Sequence, residues 1–216
     1  MPDLNFRVSG AEPVALAAQP LMALKLEISN IPPAETIHTV NLRAQIQIEA
    51  PRRHYSAEEK ELLVDLFGTP ERWGKTLRAF LWSHASTVVT SFTGATTAEL
   101  HVPCTFDFNV AATKYFHAVK EGEIPLLLLF SGTVFYVGPQ GALQVAPISW
   151  NKEARFRFSV QTWREMMDLY YPNSAWLSVR RDVFERLYRY RLQRSFPTWE
   201  DTLDSLLAAQ EETVAQ

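Results

Sequence analysis

The chain has a single cysteine, Cys104, so no internal disulfide and no multi-cysteine metal cage can form. Its eight glycines are scattered, and no Gly-rich turn precedes a helix, which excludes a phosphate-cradling loop. A Gly-x-Ser-x-Gly elbow is absent. No uninterrupted apolar run exceeds five residues, too short for a transmembrane helix. A net charge of −3 gives no general attraction to nucleic acid or to an anionic membrane. The opening residues Met1-Pro-Asp-Leu-Asn-Phe lack the basic and apolar regions of a signal peptide, so a cytoplasmic, bacterial protein without membrane insertion is expected. Core-forming material is plentiful, with 47% hydrophobic residues, six Trp and thirteen Phe.

The densest apolar stretch, Ile124–Val137, reads as a strand. Leu126–Phe130 has no polar position, so both faces are expected to be dry. Ser131-Gly132 is the natural place for so long a strand to bend or bulge. Leu4–Val8, Leu24–Ile28, Val40–Ile48 and Arg155–Phe158 alternate as half-buried strands do. Val88–Phe92 and Thr97–Val102 around Thr93-Gly94 read as a hairpin.

Residues 51–82 break this pattern. Ser56-Ala-Glu-Glu59 is a capping box before Leu62, Leu63, Leu66 and Phe67, and Gly68 stops that helix. Thr69-Pro70 opens a second, with Trp73, Leu77, Phe80 and Leu81 as its stripe. After Ser159 the chain turns helical, with Trp163, Met166, Met167 and Tyr170 on one face. Ser178 can cap a further helix through Arg194, and Thr198-Trp-Glu-Asp201 opens another. The expected architecture is α+β, mainly β, in one domain over 1–216. A β-sandwich spans about 3–158, with a helical insertion at about 56–82 and a helical cap at about 160–208.

Three patterns carry chemistry. A turn at Thr93-Gly94 would bring His84 beside His101, with Cys104 nearby, and cross-strand neighbours about 5 Å apart can share a metal ion. Cys104 lies between Pro103 and Thr105 in an extended segment, which also suits an inert buried thiol. Asp107 alternates outward between two Phe residues, while Glu121 and Glu123 flank Gly122 without the spacing of a carboxylate pair across a cleft. The strongest charge feature is Arg180, Arg181, Arg186, Arg189, Arg191 and Arg194. Asp182 with Arg186, and Glu185 with Arg189, have the favourable i,i+4 spacing. The remaining Arg180, Arg181, Arg191 and Arg194 flank Tyr188 and Tyr190, a composition enriched at protein interfaces. An acidic segment (Glu200, Asp201, Asp204, Glu211 and Glu212) is placed to fold back on it.

Several blocks together resemble a bacterial family of unknown function whose genes often lie beside those of nickel–iron hydrogenases. They are Tyr55-Ser56 through Trp73, Leu81-Trp82, Phe92-Thr-Gly94, Val102-Pro-Cys-Thr-Phe106, Gly122–Phe135 and Thr198-Trp199. The resemblance covers nearly the whole chain, implies a setting in hydrogenase maturation, assembly or electron delivery, and transfers no catalytic residue or cofactor. The expected role is a non-catalytic binding or assembly module with a protein partner. A metal-handling accessory protein using His84 and His101, and an enzyme of unrecognised type, are the alternatives.

Overall fold

The computed structural model describes residues 1–105, 110–138, 140–174, 177 and 179–214. The chain divides into two compact units, Met1–Ser174 and Ala175–Gln216.

Among the described residues the first unit holds nine strands: β1 (Asp3–Pro13), β2 (Leu21–Ile31), β3 (Thr36–Ile48), β4 (Phe80–Val89), β5 (Phe92–Thr93), β6 (Ala95–Pro103), β7 (Glu123–Val137), β8 (Leu143–Pro147) and β9 (Glu153–Ser159). One antiparallel sheet runs β1-β2-β6. The other runs β4-β3-β7-β8, with β5 on β3 and β9 on β7. The sheets pack face to face through the alternating apolar sets of their strands. Leu4, Val8, Leu24, Leu26, Ile28 and Leu100 come from one sheet, and Leu42, Ala44, Ile46, Ile48, Leu126 and Leu128 from the other. Phe6 of β1 stacks on Phe130 of β7, centroids 4.3 Å apart, and so joins the layers.

β7 lies between β3 and β9, as the apolar run requires, but its two faces differ. Leu126 and Leu128 are 0% exposed and Phe130 2%. Leu127 and Leu129, by contrast, are only half-buried. Their register neighbours are Gln47 and Gln45 on β3, and Arg155 and Glu153 on β9. The expectation of two dry faces is therefore corrected: long polar side chains, not a second apolar layer, flank the outer face. At Gly132 the backbone adopts φ +141°, where a Cβ would sit 2.0 Å from the Asn41 carbonyl oxygen. There β7 changes neighbour, from β9 (Glu123–Leu129) to β8 (Thr133–Val137). A glycine is obligatory at that junction.

The insertion between β3 and β4 contains α1 (Ala57–Leu62), α2 (Val64–Phe67) and α3 (Trp73–Thr76). Both reciprocal bonds of the Ser56–Glu59 capping box form, and Gly68 ends α2 at φ +72°. The second helix is shorter than its stripe predicts. Leu77 is extended, and Phe80 pairs with Ile48 as the first residue of β4. Sheet pairing, together with the contacts of Phe80 with Phe67 and Tyr115 (5.9 and 5.5 Å), overrides the local helical pattern.

α4 (Val110–Ala118) and α5 (Val160–Tyr170) complete the first unit. Phe116 of α4 stacks on Trp163 of α5 at 5.1 Å. The Tyr170 hydroxyl donates to the Val14 carbonyl (2.6 Å) and accepts from the Ala17 amide (3.0 Å). The second unit holds α6 (Arg181–Arg194) and α7 (Trp199–Val214). The helical segment expected over 160–208 thus divides between the two units. Among the described residues no helix is long and apolar enough to cross a membrane.

Candidate functional site

The arginine-rich segment forms α6, and the acidic segment forms α7. Asp182 lies in the first turn of α6 and Arg191 and Arg194 in the last, the arrangement the helix dipole favours. Ser195 takes the left-handed conformation at the C-cap. Thr198 then caps α7, accepting from the Asp201 amide (3.1 Å). The four residues 195–198 reverse the chain, and Tyr190 Oη lies 3.3 Å from Ser205 Oγ.

The six partner-surface candidates separate into two groups. Arg191 Nε donates to the Phe196 carbonyl (3.1 Å), its terminal nitrogen donates to the Pro197 carbonyl, and its guanidinium lies 5.1 Å from the Trp199 ring centroid. Arg191 and the half-buried Tyr190 are therefore structural parts of the turn. Arg180, Arg181, Tyr188 and Arg194 are exposed. The expected Asp182–Arg186 and Glu185–Arg189 pairs are corrected. Asp182 is taken by Arg180 (3.0 Å), whose extended N-cap position brings it within reach, and Glu185 by Arg181 (3.5 Å). Arg186 and Arg189 have no ion-pair partner among the described residues.

An apolar row accompanies these charges. Phe184, Tyr188 and Leu192 are spaced i, i+4, i+8 on α6, and all three are exposed. On α7, Leu203, Leu206 and Leu207 are likewise exposed. Trp199 links the two helices, lying 5.3 Å from Phe184 and 6.2 Å from Tyr188. By the 100° step of a helix, Arg181, Glu185 and Arg189 border the α6 row with a net positive charge, and Glu200, Asp204 and Glu211 border the α7 row. The unit presents an aromatic and aliphatic strip with a basic rim on one helix and an acidic rim on the other.

The histidine pairing is not formed. β4 pairs with β3 and β6 with β2, so the Val88–Val102 segment crosses between sheets instead of making a hairpin. His84 faces Gln45, while His101 faces Ala23 and lies 3.3 Å from Glu99. Cys104 is buried, its thiol donates to the Val102 carbonyl, and burial pushes its pKa up to about 12. Among the described residues no three His, Cys, Asp or Glu side chains gather in a way that could hold a metal ion. Asp107 and Ser178 lie outside the described residues. Glu123 pairs with Arg157 at 3.8 Å, whereas Glu121 contributes its carbonyl to Arg53.

That last contact belongs to a buried charge cluster which the sequence reading missed. Arg53 donates to both Glu59 oxygens (2.9 Å each) and to the Glu121 carbonyl (2.7 Å). The Ser56 and Lys120 amides donate to the same carboxylate. Burial pushes Glu59 upward, but these hydrogen bonds outweigh it and hold the carboxyl below its ordinary range. Beside it, the Tyr55 and Tyr115 hydroxyls lie 2.7 Å apart, and burial raises Tyr55 to about 12. Each carboxylate oxygen has two donors, so the cluster serves as a clasp between α1 and the α4–β7 connection. The capping box was the only signal for it.

No curated protein matches the chain. Among solved structures it is similar to a protein described as late embryogenesis abundant (LEA), with 13% identity over 73% of this chain and 71% of that chain, TM-score 0.30. It is also similar to a protein described as ApaA from Bordetella pertussis, with 14% identity over 73% of this chain and 93% of that one, TM-score 0.23. Residues 1–215 match one family model, and the chain belongs to the family of unknown function DUF6084.

Proposed function

We propose that the protein is a non-catalytic binding or assembly module that engages a protein partner through the α6–α7 unit. The observation that carries this reading is the exposed strip of Phe184, Tyr188, Leu192, Leu203, Leu206 and Leu207 between oppositely charged rims. Trp, Tyr and Arg are the residue types that concentrate binding energy. Charged rims set partner choice and on-rate. Components of a nickel–iron hydrogenase system are the first partners to try, from the gene-neighbourhood association of the resembled family. The test is affinity capture of the full chain from its native cell, wild type against Arg181→Glu/Arg189→Glu. A defined partner lost on reversal supports the reading; a partner retained at wild-type yield refutes it.

A second surface supports strand addition. β4 is an edge strand whose Phe80–Val89 sequence contains no charged residue and no proline, the devices that ordinarily protect edges. A cleft of about 640 Å³, lined by Thr87, Val88, Thr90, Thr97, Glu99 and His101, separates it from the edge strand β6. A partner adding a strand there would be lost on Val88→Lys and untouched by the α6 reversal.

A further inference from the structure

We infer that the partner engaged by the α6–α7 strip is a second copy of this chain, in a two-fold arrangement that sets α6 of each copy against α7 of the other. The inference rests on the binding role proposed above and names its occupant.

Two observations carry it. The first is burial. A unit the size of Ala175–Gln216 is small enough that its own core supplies little stability. Of its described side chains only Thr202 is buried, while eight large apolar ones are exposed, six of them in the strip. The second is charge complementarity. α6 carries five Arg against Asp182 and Glu185, a net of +3, while α7 carries Glu200, Asp201, Asp204, Glu211 and Glu212 with no basic residue, a net of −5. No salt bridge joins α6 to α7 among the described residues, so Arg189, Glu200, Asp204 and Glu211 remain available to another molecule.

Symmetry then chooses the arrangement. A self-complementary interface places the same strip on both copies. A two-fold axis across the helices would stack α6 on α6 and α7 on α7, basic on basic and acidic on acidic. An axis along the helices exchanges them instead, so each basic rim meets an acidic one and Phe184, Tyr188 and Leu192 meet Leu203, Leu206 and Leu207. Like-charge juxtaposition is unfavourable enough at an interface to exclude the first arrangement.

The test uses two full-length variants and sedimentation equilibrium. In Arg181→Glu/Arg189→Glu both rims are acidic; in Asp204→Arg/Glu211→Arg both are basic. The wild type is expected to be a dimer, and each variant alone should associate more weakly by about tenfold or more. An equimolar mixture should recover the dimer, because every α6–α7 contact in the mixed pair is again attractive. Leu207→Glu, a change at a 62% exposed position, should dissociate the dimer with helicity unchanged, which covers a charge variant that fails to fold. A monomeric wild type at about 0.1 mM overturns the inference. So does a dimer that survives both reversals, or a mixture that stays monomeric. If the wild type is monomeric yet captures a partner that is lost on Arg181→Glu/Arg189→Glu, only self-association fails; if nothing is captured either, the binding role fails with it.

Discussion

Glu59→Gln is the most informative single change in the first unit. It preserves shape but removes the negative charge facing Arg53, whose side chain is only 10% exposed. Each Glu59 oxygen accepts from one Arg53 nitrogen and one backbone amide, from Ser56 or Lys120. An amide group therefore turns an NH₂ toward two donors whichever way it is placed. Breaking a buried pair by deleting one partner costs about 3–5 kcal/mol. With m of about 2 kcal/mol per M, the urea midpoint should fall by roughly 2 M, read by Trp fluorescence since Trp73 and Trp82 lie in this unit. The pH dependence has a definite sign. Glu59's pKa is lower folded than unfolded, so its stabilisation is present above the ordinary carboxylate value of about 4.3 and is lost as pH falls through the depressed folded value. The gap between wild type and variant should be full at pH 7 and shrink as the pH is lowered below the ordinary carboxylate value. A loss below about 1 kcal/mol, or a gap indifferent to pH, would refute the account of the clasp.

Other outcomes follow from the same structure. Gly132→Ala should destabilise by at least about 3 kcal/mol in chemical denaturation, because φ is positive and the Cβ meets the Asn41 carbonyl. Leu128→Ala should cost about 2–5 kcal/mol, whereas Leu127→Gln on the half-open outer face should cost about 1 or less. Nickel or zinc titration by calorimetry should not distinguish wild type from His84→Ala/His101→Ala, since the two imidazoles lie on strands of different sheets.

What was legible in the sequence was whatever depended on neighbours along the chain. The capping box, the glycine that ends α2 and the alternation of Leu42, Ala44, Ile46 and Ile48 each follow from local geometry. Gly132 announced itself as an interruption of an apolar strand. Pairing did not: alternation says that Val88–Val89 and Thr97–Val102 are strands, but not that a turn at Gly94 carries the chain from one sheet to the other. The expected pairing of His84 with His101 failed at that step. Phe80 and Leu81 fitted a helical stripe and a strand equally, and contact with Ile48 and Tyr115 decided between them. Arg53 looked like any surface arginine, because its partner's burial is a tertiary fact. In the second unit the charge segregation was readable, while Arg191's attachment to the Phe196 and Pro197 carbonyls was not.

Hydrogen–deuterium exchange most directly tests the α6–α7 unit as the working surface. The isolated chain at high dilution is compared with the same chain in its assembled form. Amides of Arg181–Leu207 should exchange more slowly in the assembly, with β3 and β7 unchanged. Protection confined to Phe80–Val89 or to Ala95–Pro103, with no slowing in α6 or α7, would contradict the account.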